Sequence, residues 1–85
     1  WYNKGLALGN LGEYSEAIKC FDRALEIDPN DAVVWYNKGL ALGNLGKHSE
    51  AIKCFDRALE IDPNNAYAWY NKGLALGNLG EYSEA

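Results

Sequence analysis

Apolar residues recur along this chain at helical spacing, in two alternating kinds of segment. From about Glu16 to Asp28 the apolar residues cover about half of a helical wheel, and charged residues fill the remainder. Over residues 1 to 11, both sides of the wheel are partly apolar. The pattern predicts a B helix with a narrow charged strip and an A helix that is buried on one side and exposes a mixed surface on the other.

Short polar segments separate the predicted helices. Gly12 suits the left-handed residue that ends a helix, and Ser15 is the predicted N-cap of the first B helix. Pro29 stops that helix because it has no N–H to donate, and Asn30 or Asp31 is predicted to cap the next A helix. The same signals return at Gly46, Ser49, Pro63 and Asn64.

The predicted helices belong to a repeated unit. The segment WYNKGLAL begins at residues 1, 35 and 69, a period of 34 residues. Residues 1–34 and 35–68 differ at five positions, which are Glu13/Lys47, Tyr14/His48, Asp31/Asn65, Val33/Tyr67 and Val34/Ala68. Residues 69–85 repeat 1–17 without change. A fixed period in this range predicts a stacked array.

The expected fold class is therefore all-α, a solenoid of stacked antiparallel helix pairs. We expect a single array over residues 1–85. Repeat 1 spans 1–31, with its first helix truncated at the start, and repeat 2 spans 32–65. A partial repeat 3, an A helix plus the start of a B helix, spans 66–85.

Charge and hydropathy exclude two classes of partner. The net charge of −4 and the dispersed Lys and Arg argue against nucleic-acid binding. No apolar run approaches the roughly 18 residues of a membrane span, and no leader segment opens the chain. We expect a soluble, cytoplasmic protein, and the initial Trp indicates a segment cut from a longer chain.

The cysteines and the single histidine offer little chemistry. Cys20 and Cys54 occupy equivalent places on helices expected about 8 to 10 Å apart, beyond the reach of a disulfide. We expect buried free thiols and a reducing compartment. His48, placed in a predicted turn, is the only histidine, so neither a metal site nor a cofactor is expected. No nucleophile is accompanied by a base and an orienting group, so catalysis is not expected.

Residues at fixed places in the unit carry a family resemblance. In the second unit they are Trp35, Gly39, Leu42, Ala51, Phe55, Ala58 and Pro63. Their types and spacing resemble the tetratricopeptide repeat, although Lys4, Lys38 and Lys72 stand where that family commonly has Leu, and Gly9, Gly43 and Gly77 replace larger residues. We interpret the matching residues as scaffold, with Gly39 and Ala51 small where the A and B helices approach.

The resemblance implies a right-handed superhelix and a non-catalytic scaffold whose A helices line a concave groove for a peptide or a partner helix. The predicted groove residues are Tyr2, Asn3, Leu6, Asn10, Tyr36, Asn37, Leu40, Asn44, Tyr67, Tyr70, Asn71, Leu74 and Asn78, with Val33 entering from a helix start. The Asn row offers donors and acceptors for a peptide backbone; alternatively it stabilises the seam between helices or is solvated. The repeated glycines leave room for a ligand.

The resemblance also bears on the charge expected of a ligand. Some family members grip a C-terminal carboxylate with a Lys, Asn and Arg cluster, but this chain has Tyr and Leu where that Lys and the second Asn would lie, and Val33 or Tyr67 at another Lys position. We therefore expect a neutral or mixed extended segment. Lys38 has two interpretations: an anion contact, or a stem packed on apolar surface with its ammonium near solvent or an acidic neighbour.

A second function hypothesis is structural. Near-identical units suit a designed or recently duplicated array that stacks end to end without a dedicated ligand. The exposed side of the third A helix, with Trp69, Leu76 and Leu79, would then meet the Trp1 end of another copy.

Overall fold

The computed structural model describes residues 1–80, which form five α-helices and contain no strand. The helices are α1 (Tyr2–Asn10), α2 (Tyr14–Ile27), α3 (Ala32–Asn44), α4 (His48–Ile61) and α5 (Ala66–Asn78). Each helix packs on the next, and the A helices α1, α3 and α5 also contact one another in sequence. The fold is the predicted all-α solenoid of antiparallel helix pairs.

A tight backbone turn connects each A helix to its B helix. Gly12 has a φ of 83°, as predicted, and its N–H donates to the Gly9 carbonyl at 3.0 Å. The N–H of Glu13 donates to the Leu8 carbonyl at 2.9 Å. These two bonds form a Schellman motif, which satisfies the last carbonyls of α1.

This turn makes the predicted serine caps wrong. Helix α2 begins at Tyr14, with Glu13 as an N-cap that makes no side-chain cap bond. Because the Schellman turn leads directly into the next helix, Ser15 already lies in its first turn. Ser49 has the same place in α4. That helix begins at His48, a residue predicted to lie in a turn.

Side-chain caps occur instead at the starts of the A helices. The Asp31 carboxylate accepts from the N–H groups of Val33 and Val34 at 3.1 and 3.3 Å. In the next unit Asn65, and not Asn64, caps α5 by accepting from Ala68 N–H at 3.1 Å. Of the two candidates proposed for α3, the cap is therefore Asp31.

The core lies where the A and B helices of one unit meet. Ala51 and Phe55 are 0% and 2% exposed. A Cβ added at Gly39 would lie 2.6 Å from Cε1 of Phe55, so α3 and α4 approach too closely for any larger residue there. Cys54 is buried beside them, and both cysteines are free thiols, as expected. Burial raises the pKa of the Cys54 thiol to about 11, although nearby Lys38 opposes the shift.

Charged residues mostly face away from this core. The ion pairs Lys19–Glu16 and Arg23–Glu26 lie on the exposed back of α2, as expected for a solvated strip. Lys38 reaches across the interface between units, with its Nζ 2.6 Å from Asp22. The acidic-neighbour interpretation of Lys38 is thereby confirmed. Over the described residues, no helix has the length and apolar character needed to cross a membrane.

Candidate functional site

Two hollows open along the side of the array formed by the A helices. The first hollow, about 230 Å³, lies between α1 and α3, and the second, about 160 Å³, lies between α3 and α5. Every residue that lines the first has its equivalent 34 positions later in the second. The two differ in residue type only at Tyr14, which is His48 in the second. The hollows are thus a repeated feature of the stacking.

Unfilled glycines keep the hollows open. A Cβ added at Gly9 or Gly43 would meet nothing within 4 Å, apart from the helix's own backbone. Each glycine lines one hollow, beside Leu6 or Leu40. A glycine inside a helix costs about 1 kcal/mol relative to alanine, so these positions give up helix stability for space.

Pairs of Asn and Tyr link successive units at the hollows. The Nδ2 group of Asn37 donates to the Val33 carbonyl at 2.8 Å and to the Tyr2 hydroxyl at 3.3 Å. Asn71 repeats the arrangement, with its Nδ2 3.1 Å from the Tyr36 hydroxyl. One amide hydrogen bonds the asparagine's own helix and the other links the two units, which leaves Oδ1 of the asparagine and the hydroxyl hydrogen of the tyrosine for a ligand.

The Tyr36 hydroxyl is held in its neutral, hydrogen-donating form. Desolvation raises the pKa of Tyr36, the hydrogen bond from Asn71 opposes this, and Tyr67 adds to it. The Tyr36 ring is anchored 5.9 Å from the Phe55 ring, and the Tyr2 ring lies 6.2 Å from that of Phe21. Packed rings fix where each hydroxyl lies.

The structure brings most, but not all, of the predicted groove residues together. The hollows are lined by Leu6, Asn10, Asn37, Leu40, Asn44, Asn71, Leu74 and Asn78, and Tyr2 and Tyr36 are bonded to two of these asparagines. Asn3, Val33, Tyr67 and Tyr70 are exposed and line neither hollow.

Sequence reasoning missed the residue that begins each B helix. Tyr14 and His48 line the hollows, although both were assigned to turns. Their only signal was that position 14/48 is one of the five at which the units differ.

Neither hollow is lined by a Lys or Arg side chain. Lys38 and Lys72 point to the other side of the array, where they pair with Asp22 and Asp56 at 2.6 and 2.7 Å. The hollows therefore present amide, hydroxyl, imidazole and apolar groups, which suit an uncharged ligand. Among the described residues, no group of His, Cys, Asp and Glu is arranged to hold a metal ion.

Comparison with protein families identifies the class. One family model described as the tetratricopeptide repeat matches residues 1–31 and 32–65, and a second model of the same description matches 54–85. Together they cover the whole chain, so the chain belongs to the tetratricopeptide repeat family. Proteins of this family are generally non-catalytic scaffolds that bind other proteins. A search of the curated proteins found no match.

Solved structures share the fold at low sequence identity. The tetratricopeptide domain of Sgt2 from Aspergillus fumigatus is 30% identical, with a TM-score of 0.91 over 96% of this chain. The second such domain of Spaghetti (RPAP3), bound to the HSP90 peptide SRMEEVD, is 28% identical, with a TM-score of 0.93 over 98% of this chain and 77% of its own. MamA is 29% identical over 98% of this chain, with a TM-score of 0.94. The chain spans 54% of the Sgt2 chain and 45% of the MamA chain.

Proposed function

We propose that the chain is a non-catalytic scaffold that binds an extended, largely uncharged peptide segment along the two hollows. The observation that carries the proposal is the repetition of one open, glycine-lined hollow between successive units. A ligand that crosses both hollows would meet the same chemistry twice. Leu6, Leu40 and Leu74 supply apolar contact, and the glycines let the ligand approach the helices closely.

The polar contacts proposed for the ligand follow from the donor count. Tyr2 and Tyr36 each accept a hydrogen bond from an asparagine, so each hydroxyl hydrogen is directed to another acceptor, which we propose is a peptide carbonyl. Oδ1 of Asn37 or Asn71 would accept a peptide N–H. Such contacts recognise backbone rather than side chains, which matches a groove whose equivalent residues differ in type only at Tyr14 and His48.

Structural neighbours support a peptide ligand but suggest a different charge. Domains of RPAP3 were solved with the peptides SRMEEVD and SGPTIEEVD, both of which end in acidic residues. The hollows here lack basic lining residues. We therefore propose a neutral or mixed segment instead of an acidic tail, and a reducing compartment such as the cytoplasm, because both thiols are free and buried.

A peptide-library selection on the folded protein tests this function. The test variant carries Tyr2→Phe and Tyr36→Phe, which remove the two hydroxyls but keep the packed rings. The matched control is Tyr70→Phe, since Tyr70 is 66% exposed and lines neither hollow.

We expect enriched neutral peptides that bind the control as tightly as the original chain and bind the double variant about thirtyfold more weakly, at about 1 kcal/mol for each of the two hydrogen bonds. If the folded protein enriches nothing, or the double variant binds equally well, the groove proposal is wrong.

End-to-end assembly is the second proposed function, supported by two exposed tryptophan side chains. Trp1 and Trp69 are 55% and 54% exposed. Sedimentation velocity over a wide concentration range tests it: a mass that grows with concentration supports assembly, and a constant monomer mass rejects it.

A further inference from the structure

A larger cavity lies on the other side of the array, between the two B helices. We call it the B-helix cleft. It measures about 590 Å³ and is lined by α2, α3 and α4. Ile18, Trp35, Leu42 and Leu45 provide its apolar surface. None of its lining residues belongs to either hollow of the groove.

The cleft is positively charged within an acidic protein. Its lining includes five cations and two carboxylates, a net charge of +3, which falls to +1 when Glu16 and Glu60, the ion-pair partners of Lys19 and Arg57, are included, whereas the whole chain carries −4. The cations are Lys19, Lys38, Lys47, Lys53 and Arg57, and the carboxylates are Asp22 and Glu50. Such a local excess attracts anionic partners at a distance set by salt.

Two of these cations have no partner of their own. Within residues 1–80, neither Lys47 nor Lys53 makes an ion pair, whereas Lys38 is bound to Asp22. The Arg57 guanidinium lies 5.6 Å from the centre of the Trp35 ring, so this cation already covers apolar surface at the cleft. Charge for a ligand therefore comes chiefly from the two unpaired lysines.

One of the few differences between the units raises this charge. Position 47 is Lys, whereas its equivalents in the flanking units, Glu13 and Glu81, are acidic. A change from Glu to Lys raises the charge of the lining by two. A single substitution between near-identical repeats therefore strengthens the positive charge of this cleft.

The helical walls restrict how a ligand is held. Backbone N–H and C=O groups inside α2, α3 and α4 are bonded within their helices, and the lining of the cleft, unlike that of the hollows, includes no Asn or Tyr side chain to pair with the backbone of an extended peptide. A bound helix satisfies its own backbone and needs only side-chain contacts. Charge complementarity requires acidic residues beside its apolar ones.

We propose that the B-helix cleft binds an acidic amphipathic helix of a partner protein, with apolar residues over Ile18, Trp35 and Leu42 and carboxylates beside Lys47 and Lys53. The site is separate from the hollows, and neither proposal depends on the other.

The test uses a fluorescein-labelled helical peptide of about four turns, roughly 14 residues, with leucines along one face and glutamates beside them. A scrambled peptide of the same composition serves as the ligand control. The protein variants are Lys47→Glu and the double variant Lys47→Glu with Glu13→Lys, which keeps the net charge unchanged. Both place residue types that the array already accepts at these positions. Circular dichroism confirms that each variant keeps its helix content.

Fluorescence anisotropy should show saturable binding of the amphipathic peptide that weakens as salt rises. Both variants should bind it about threefold to tenfold more weakly, since reversing one exposed charge exchanges attraction for repulsion. Equal binding of the scrambled peptide would reduce the site to diffuse attraction and overturn the proposal. Undiminished binding by either variant, or no binding by the original chain, would overturn it as well.

Discussion

Gly39 and Gly43 lie one turn apart on α3 and have opposite surroundings. A Cβ added at Gly39 would lie 2.6 Å from Phe55, whereas one at Gly43 would meet nothing within 4 Å. The first glycine lets two helices pack, and the second leaves a hollow. The same residue type therefore marks scaffold at one position and space for a ligand at the next.

The two glycines also differ in whether packing offsets the helix propensity that they lose. At Gly39 the lost helix propensity is offset by the burial of Phe55, which is 2% exposed. At Gly43 no contact within the described chain offsets it. A loss of helix propensity that no packing contact offsets points to a role outside the fold itself. It therefore supports the groove proposal.

The largest expected effect comes from truncating Phe55, the side chain that packs against Gly39. Phe55→Ala should lower the free energy of unfolding by about 3 to 5 kcal/mol, since it leaves a cavity beside Gly39 and Ala51. Urea denaturation followed by circular dichroism measures this. Ile27→Ala, at a side chain that is 75% exposed, is the control and should change it by less than about 0.5 kcal/mol. A Phe55→Ala cost below about 1 kcal/mol would contradict the packing described.

A smaller pair of effects, opposite in sign, tests the comparison directly. Gly39→Ala should destabilise the chain by about 1 to 2 kcal/mol, because overpacking against Phe55 exceeds the gain in helix propensity. Gly43→Ala should stabilise it by about 0.5 to 1 kcal/mol and weaken peptide binding by filling the hollow. The same denaturation curves and the peptide assay report both. Gly73→Ala, at an open position equivalent to Gly39, should behave as a stabilising control; the same sign at Gly39 and Gly43 would refute the contrast.

The smallest effect concerns pH and the thiol of Cys54, which is buried beside Phe55. The pKa of Cys54 rises from 9.0 to about 11 on folding, chiefly through burial. Between these values the unfolded chain loses the proton first, so the free energy of unfolding should fall as pH rises from about 9 toward 11, and its full value should be retained below that range. Other groups titrate in this window, so the comparison is with Cys54→Ala, whose decline should be shallower. Identical slopes would show that the thiol is not protected by the fold.

Sequence reasoning succeeded where one residue type sets the local backbone. Gly12 was predicted as the left-handed residue after α1 and has a φ of 83°. It failed at Ser15, because whether a serine caps a helix depends on the path by which the chain enters it. That path is set by the bond from Glu13 N–H to the Leu8 carbonyl, which hydrophobic periodicity does not encode.

The sequence predicted on which side of the A helices the candidate site lies, but not how its side chains are hydrogen-bonded. Helical periodicity placed Leu6, Leu40 and Asn37 on one side, and the hollows lie there. It did not show that an amide hydrogen of Asn37 is engaged at the seam, since the Tyr2 hydroxyl belongs to another helix.

The sequence alone determined the repeating unit, the order of the helices and the close approach at Gly39, because each depends on local propensity or on a period that every copy shares. Only the tertiary structure decided which glycine is covered, which hydroxyl is held by an asparagine, and that the charges of α2 and α4 form one cleft with Lys47. Those features depend on distances between residues of different helices. Such distances are set by packing and not by position along the chain.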